Sequence, residues 1–130
     1  MKKFVIIGLI VVFAASCRQK SKLQMFPNEM SEMALSMRSM VDKLLQAKED
    51  IERGIEPKLS IEDFKSDHFT DQSFQKEGFD PMADALLLAS NKFDETPSVA
   101  NYELVVNSCK SCHEYMCPGP LELIKTLEIE

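Results

Sequence analysis

The sequence contains few histidines and cysteines. Among 130 residues only two are histidine and four are cysteine. It has no phosphate-binding glycine loop, no paired carboxylates at a recognisable spacing and no nucleophile accompanied by a base, which argues against the enzymes that need them. No stretch alternates in polarity for long enough to predict a strand, and no internal repeat is present. We therefore expect an all-α protein that is not an enzyme.

The N-terminal residues are typical of a bacterial export signal. Lys2 and Lys3 precede an uninterrupted apolar stretch, residues 4–13, and residues 14–16 are small. This apolar stretch is too short to span a bilayer stably. It runs directly into Cys17, as in bacterial lipoproteins, whose cysteine is lipidated after cleavage; an ordinary secretory cleavage is the alternative.

These features predict a simple domain organisation. Residues 1–16 form a signal peptide, residues 17–27 form a lipidated cysteine with a flexible tether, and residues 28–130 form one domain. We expect an exported protein, lipid-anchored on the periplasmic side of a bacterial membrane, with the outer membrane as one option. Without Lys2 and Lys3 the chain has 13 basic and 21 acidic residues, a net charge of −8. We therefore expect a basic protein as a partner and do not expect nucleic acid.

A five-residue motif near the C-terminus carries the most specific chemistry. Cys109, Lys110, Ser111, Cys112 and His113 form the C-x-x-C-H pattern by which a c-type haem is attached. Two thiols three residues apart lie on one helical face, where each can add to a haem vinyl group, and the histidine can then bind the iron. A redox-active thiol pair or part of a zinc site are the other interpretations.

The spacing of apolar residues predicts several helices and an irregular connector. The predicted segments are a long helix over 28–54, a connector over 55–80 with a short helix near Ser60–Phe64, a helix over 80–93, a helix from Ser98 that ends before Pro118, and a short helix over 121–127. Start and stop residues support the long helix, because Pro27 and Asn28 precede it and Gly54 follows it.

Together, the export signal, a methionine-rich long helix and the attachment motif on the last main helix resemble the class II c-type cytochromes, the cytochrome c′ family. The resemblance implies an antiparallel four-helix-bundle-like fold, here with a short or broken second helix. It also implies one covalent haem c held by Cys109 and Cys112, with His113 as an axial ligand of the iron. In this family the other axial position is taken by a methionine of the first helix or is left open for small gases.

Methionines recur on the long helix at spacings that turn several toward the interior: Met30, Met33, Met37 and Met40. We predict Met37 as the second axial ligand, with Met33 and Met40 as alternatives. The other interpretation is that these methionines only fill the core and do not bind the iron. His68 is a competing ligand, although a lone histidine in a polar stretch is usually a surface residue.

The expected function is electron transfer through a haem iron with histidine and methionine ligands. The expected partners are the haem, redox proteins and a membrane, which the protein contacts through its lipid anchor. Formation of a homodimer is an open question. One alternative is a five-coordinate haem protein that binds or senses gases. A haem-free site of the three cysteines, Cys109, Cys112 and Cys117, with His113 is a remote alternative. Cys117 is otherwise a buried small side chain or a reactive thiol near the haem.

Overall fold

The computed structural model describes residues 29–130, so the predicted signal peptide, Cys17 and the tether lie outside the described residues. The described part of the chain is all-helical and contains no strand. Its elements are α1 (Glu32–Arg53), a 3₁₀ turn (Gln72–Phe74), α2 (Phe79–Glu95), α3 (Val99–Tyr115) and α4 (Leu121–Lys125). None of the described helices is both long and apolar enough to cross a membrane.

The first helix begins a few residues later than predicted and ends where predicted. The hydroxyl of Ser31 accepts a hydrogen bond from the Ala34 amide at 3.2 Å and caps the N-terminus. At the other end Gly54 adopts φ 68°, a left-handed conformation that glycine takes without steric cost, and its amide bonds the carbonyls of Asp50 and Ile51. The predicted length and position of α1 are thus confirmed to within one turn.

The connector after α1 is irregular, and the short helix predicted for Ser60–Phe64 is wrong. The carboxylate of Asp94, at the end of α2, accepts hydrogen bonds from the amides of Leu59 at 2.6 Å and Ser60 at 2.8 Å. Ser60 has φ 45°, which a right-handed helix does not allow. A distant carboxylate therefore satisfies the amides that would otherwise begin a helical turn.

Helices α2 and α3 form a tightly packed hairpin across a short turn. Near the turn the rings of Phe93 and Tyr102, both fully buried, meet edge to face with centroids 6.0 Å apart. The Ser98 hydroxyl caps α3 by accepting from the Asn101 amide at 3.2 Å. The starts of α2 and α3 agree with the sequence prediction to within one residue.

The inner face of α1 and the C-terminal residues complete the core. Met33, Met40, Leu44 and Ala47 of α1 are buried in the same apolar cluster as the inner faces of α2 and α3. The backbone of α1 nevertheless comes close to that of another helix at very few points, so side chains fill most of the space beside it. The phenol of Tyr102 lies 3.2 Å from the Leu44 carbonyl oxygen and 2.9 Å from that of Leu127.

Candidate haem site

The attachment motif occupies the last two turns of α3, the second helix of the hairpin. Cys109 and His113 are buried, with 8% and 9% of their surface exposed, and Cys112 is half-buried. Their side chains lie on the face of α3 that joins the apolar core, where Met116 is also buried. The helix thus turns the three predicted haem-binding side chains toward one side of the molecule.

The imidazole of His113 is oriented by its own helix. Its Nδ1 atom lies 2.8 Å from the carbonyl oxygen of Cys109. Since a carbonyl oxygen only accepts, Nδ1 carries the proton and Nε2 keeps its lone pair. No group in residues 29–130 forms a hydrogen bond with Nε2. Burial lowers the pKa of His113, although the Cys109 carbonyl acts in the opposite direction, and this favours the neutral imidazole that a metal requires.

The two motif thiols lie in an environment that keeps them protonated. Burial, followed by the proximity of Cys112, raises the pKa of Cys109 to about 12. Burial and then Cys117 raise the pKa of Cys112 as well. Catalytic thiols in disulfide-exchange proteins have a lowered pKa, because the thiolate is the nucleophile. The raised pKa values of Cys109 and Cys112 therefore do not favour a thiol redox pair.

The residues present fit a covalent haem in their chemistry. Two thiols and one oriented imidazole occur at the required spacing, and the imidazole nitrogen that would bind iron has no protein partner among the described residues. The surroundings are apolar, as a haem macrocycle requires, because Cys109 and Met116 belong to the buried cluster.

The predicted methionine ligands differ in burial. Met33 and Met40 are buried, with 7% and 6% exposed, whereas Met37 is half-buried and packs against the same apolar cluster. Met30 precedes α1 and is exposed. All three candidate ligands on α1 therefore border the core.

The remaining ligand candidates lie elsewhere. His68 is exposed, and its Nδ1 atom lies 2.9 Å from the Glu32 carboxylate, which agrees with the surface interpretation. Cys117 is half-buried and follows α3; burial raises the pKa of its thiol, and Lys76 acts in the opposite direction. In residues 29–130 no three histidine, cysteine or acidic side chains are placed to hold a metal ion, so the haem-free zinc alternative finds no support.

One structural feature beside the candidate site was not predicted from the sequence. Residues Asp67–Thr70 of the connector bond the first turns of α1, the part of the helix that carries Met33 and Met37. A serine or threonine near a helix start is a known capping signal, but the partner here comes from a segment more than thirty residues away in sequence. Only tertiary structure reveals this contact.

Comparison of the chain with protein-family models, with curated proteins and with solved structures finds no match. The resemblance to class II cytochromes therefore depends on the residues of this chain alone.

Proposed function

We propose that the protein is an exported, membrane-anchored, monohaem c-type cytochrome that transfers electrons through an iron with histidine and methionine ligands. The observation that carries the proposal is the hydrogen bond from His113 Nδ1 to the Cys109 carbonyl oxygen, beside two thiols at the attachment spacing. It fixes the tautomer and the orientation that an axial ligand needs.

Each residue of the site has a task in this proposal. Cys109 and Cys112 would provide the thioether bonds, and His113 would hold the iron through the Nε2 lone pair. The haem, once bound, supplies a one-electron couple. The buried side chains around the motif exclude water, and the hydrogen bond from Nδ1 to the Cys109 carbonyl orients the imidazole.

Hydrogen bonds and an aromatic ring contact support an antiparallel arrangement of α1 and α3. Lys76, just before α2, donates to the Tyr115 carbonyl at the end of α3, at 2.8 Å. Phe69 packs edge to face on Phe79, the first residue of α2, with centroids 5.1 Å apart, and the segment that carries Phe69 is bonded to the start of α1. The start of α1 therefore lies at the same end of the molecule as the end of α3. We propose a bundle-like packing on this basis.

This arrangement supports Met37 as the second axial ligand. Leu44 and Tyr102 lie at one level, because the phenol meets the Leu44 carbonyl. Met37 is seven residues before Leu44 and Cys109 is seven residues after Tyr102, so both lie about 10 Å from that level at 1.5 Å per residue. The two positions face the same section of the core.

The direction in which helical side chains lean separates the three methionines. Side chains lean toward the N-terminus of their helix, so Met37 leans toward the level of His113, and His113 leans back toward Met37. The backbone of Met33 lies at the same height along the helices as that of His113, so the Met33 side chain leans past His113. The backbone of Met40 lies only about 6 Å from the height of Leu44, well short of His113. Met37 is therefore the best placed of the three, with Met33 next.

The acidic surface supports a basic redox partner, because the carboxylates of Glu52, Glu56 and Glu95 are exposed. They would speed association by long-range attraction that weakens as salt is added.

The test is the absorption spectrum of the chain produced together with a haem-attachment system. We expect a low-spin ferric spectrum with the weak red band of methionine bound to iron. Met37→Ala should remove that band, whereas Met30→Ala, at an exposed position before α1, should leave it unchanged.

Two other spectral results would contradict the proposal, one as to coordination of the iron and one as to which methionine binds it. A high-spin wild-type spectrum with ready carbon monoxide binding would favour the five-coordinate, gas-binding alternative. Loss of the red band in Met33→Ala but not in Met37→Ala would keep electron transfer and move the ligand by one turn.

A further inference from the structure

The first two turns of α1 are bonded by the connector segment Asp67–Thr70, and we call this set of contacts the latch. On the side of α1 it comprises Ser31, Glu32, Met33 and Ser36. The latch joins segments that are far apart in sequence, and it lies at the end of α1 that carries Met33 and Met37.

The latch combines backbone and side-chain hydrogen bonds. The amide of Met33 donates to the His68 carbonyl at 3.2 Å, and the amide of His68 donates to the Glu32 carboxylate at 3.1 Å. The Ser36 hydroxyl donates to the Asp67 carboxylate. The Met33 amide is available for this bond because the first amides of a helix have no acceptor within the helix, so the connector serves as a cap.

A further side-chain contact lies at the edge of the latch. The hydroxyls of Ser31 and Thr70 are 2.8 Å apart. With the contacts above, both ends of Asp67–Thr70 are bonded to α1, and the segment cannot shift along the helix without breaking several hydrogen bonds together.

The opposite side of the latch is anchored to the hairpin. Phe69 packs on the buried ring of Phe79 at the start of α2, and Phe64 meets the same ring with centroids 6.2 Å apart. Lys76 then links the residues before α2 to the Tyr115 carbonyl at the end of α3. A continuous set of contacts thus connects the start of α1 with the turn of α3 that follows His113.

We propose that the latch positions the α1 methionine relative to the iron-binding turn of α3, so that Glu32 and Asp67 are positioning residues for the second axial ligand. This inference rests on the proposed function. The backbone of α1 approaches the other helices closely at few points, so these hydrogen bonds act together with the packing of Met33 and Met37 on the apolar cluster to position its N-terminal turns. Loosening the latch should let the methionine sulfur leave the iron more often.

The test compares variants of the full haem-loaded chain. Glu32→Ala removes the acceptor for the His68 amide, and Asp67→Ala removes the acceptor for Ser36. In the double variant we expect a weaker red band and an increase of about tenfold in the carbon monoxide binding rate, because the hydrogen bonds of the His68 amide and of the Ser36 hydroxyl are lost. The exposed contact between His68 Nδ1 and Glu32 is lost as well and adds little. Asp67→Asn keeps an acceptor oxygen and should behave as the wild type does.

Glu62→Ala is the matched control, because Glu62 is an exposed carboxylate of the same connector outside the latch. Hydrogen exchange of residues 33–38 provides a readout that does not need haem. In the chain before haem attachment, exchange there should quicken in the double variant and not in Glu62→Ala. The single variant Glu32→Ala changes an exposed side chain and keeps the test available if the double variant does not fold.

The outcomes separate the two proposals. A red band in the wild type together with unchanged carbon monoxide binding in both Glu32→Ala and the double variant would overturn the positioning role and leave the proposed function standing. An equal weakening of the red band in Asp67→Asn and Asp67→Ala would also overturn the positioning role, because Asn keeps an acceptor oxygen for Ser36 and Ala does not. A wild-type chain without a red band would overturn both.

Discussion

The Nδ1 atom of His113 lies 2.8 Å from the carbonyl oxygen of Cys109, four residues earlier on the same helix. Cys109 is also the first cysteine of the motif. In the proposed haem site, one turn of helix would therefore both provide a thioether bond and orient the axial imidazole.

We expect Cys109 to be the least reactive of the three described cysteines in the haem-free chain. Its pKa of about 12 leaves almost no thiolate at neutral pH, and only the thiolate is alkylated. Because this pKa is raised, the alkylation rate should climb about tenfold per pH unit from pH 7 to 10. Peptide mass mapping after timed alkylation measures it, with half-buried Cys117 as the comparison. Equal rates at Cys109 and Cys117 would contradict this account of the site.

The positions of the helices could largely be predicted from the sequence, because the residues that start and stop a helix act locally. Gly54 stops α1 and Ser98 starts α3, and each acts within one turn. The error at Ser60–Phe64 arose because Asp94, on another helix, binds the amides there. A side chain more than thirty residues away leaves no trace in a local pattern.

Local sequence signals likewise predict only part of the candidate site. Cys109, Cys112 and His113 form a contiguous motif, so their shared face could be predicted from helical spacing. The hydrogen bond that sets the imidazole tautomer, and the latch at the start of α1, depend on side-chain rotamers and tertiary packing. The choice among Met33, Met37 and Met40 likewise depends on the level at which Leu44 meets Tyr102.

We expect Tyr102→Phe to destabilise the protein by about 1–2 kcal/mol, since it removes a buried hydroxyl bonded to the Leu44 and Leu127 carbonyls. Urea unfolding followed by circular dichroism measures the change. Tyr115→Phe is the matched control, because the Tyr115 side chain is half exposed, and it should leave the midpoint where it was. Equal stability of the two variants would show that the phenol does not tie α1 to the C-terminal residues.

We expect Ser90→Ala to stabilise the protein by about 1 kcal/mol. Ser90 is buried on α2, and within residues 29–130 its hydroxyl has no hydrogen-bond partner, so the side chain is desolvated without compensation. Alanine is also the better helix former. The same unfolding experiment tests this, with exposed Ser111→Ala on α3 to account for helix propensity. A lower midpoint for Ser90→Ala than for Ser111→Ala would contradict the prediction.

The central claim is that haem is attached at Cys109 and Cys112, and the mass of the chain produced with a haem-attachment system tests it most directly. The account predicts an intact mass raised by one haem, with the added mass confined to the peptide that contains both cysteines and kept in Cys117→Ser. A chain of unmodified mass, or one that loses its haem on denaturation, would contradict it.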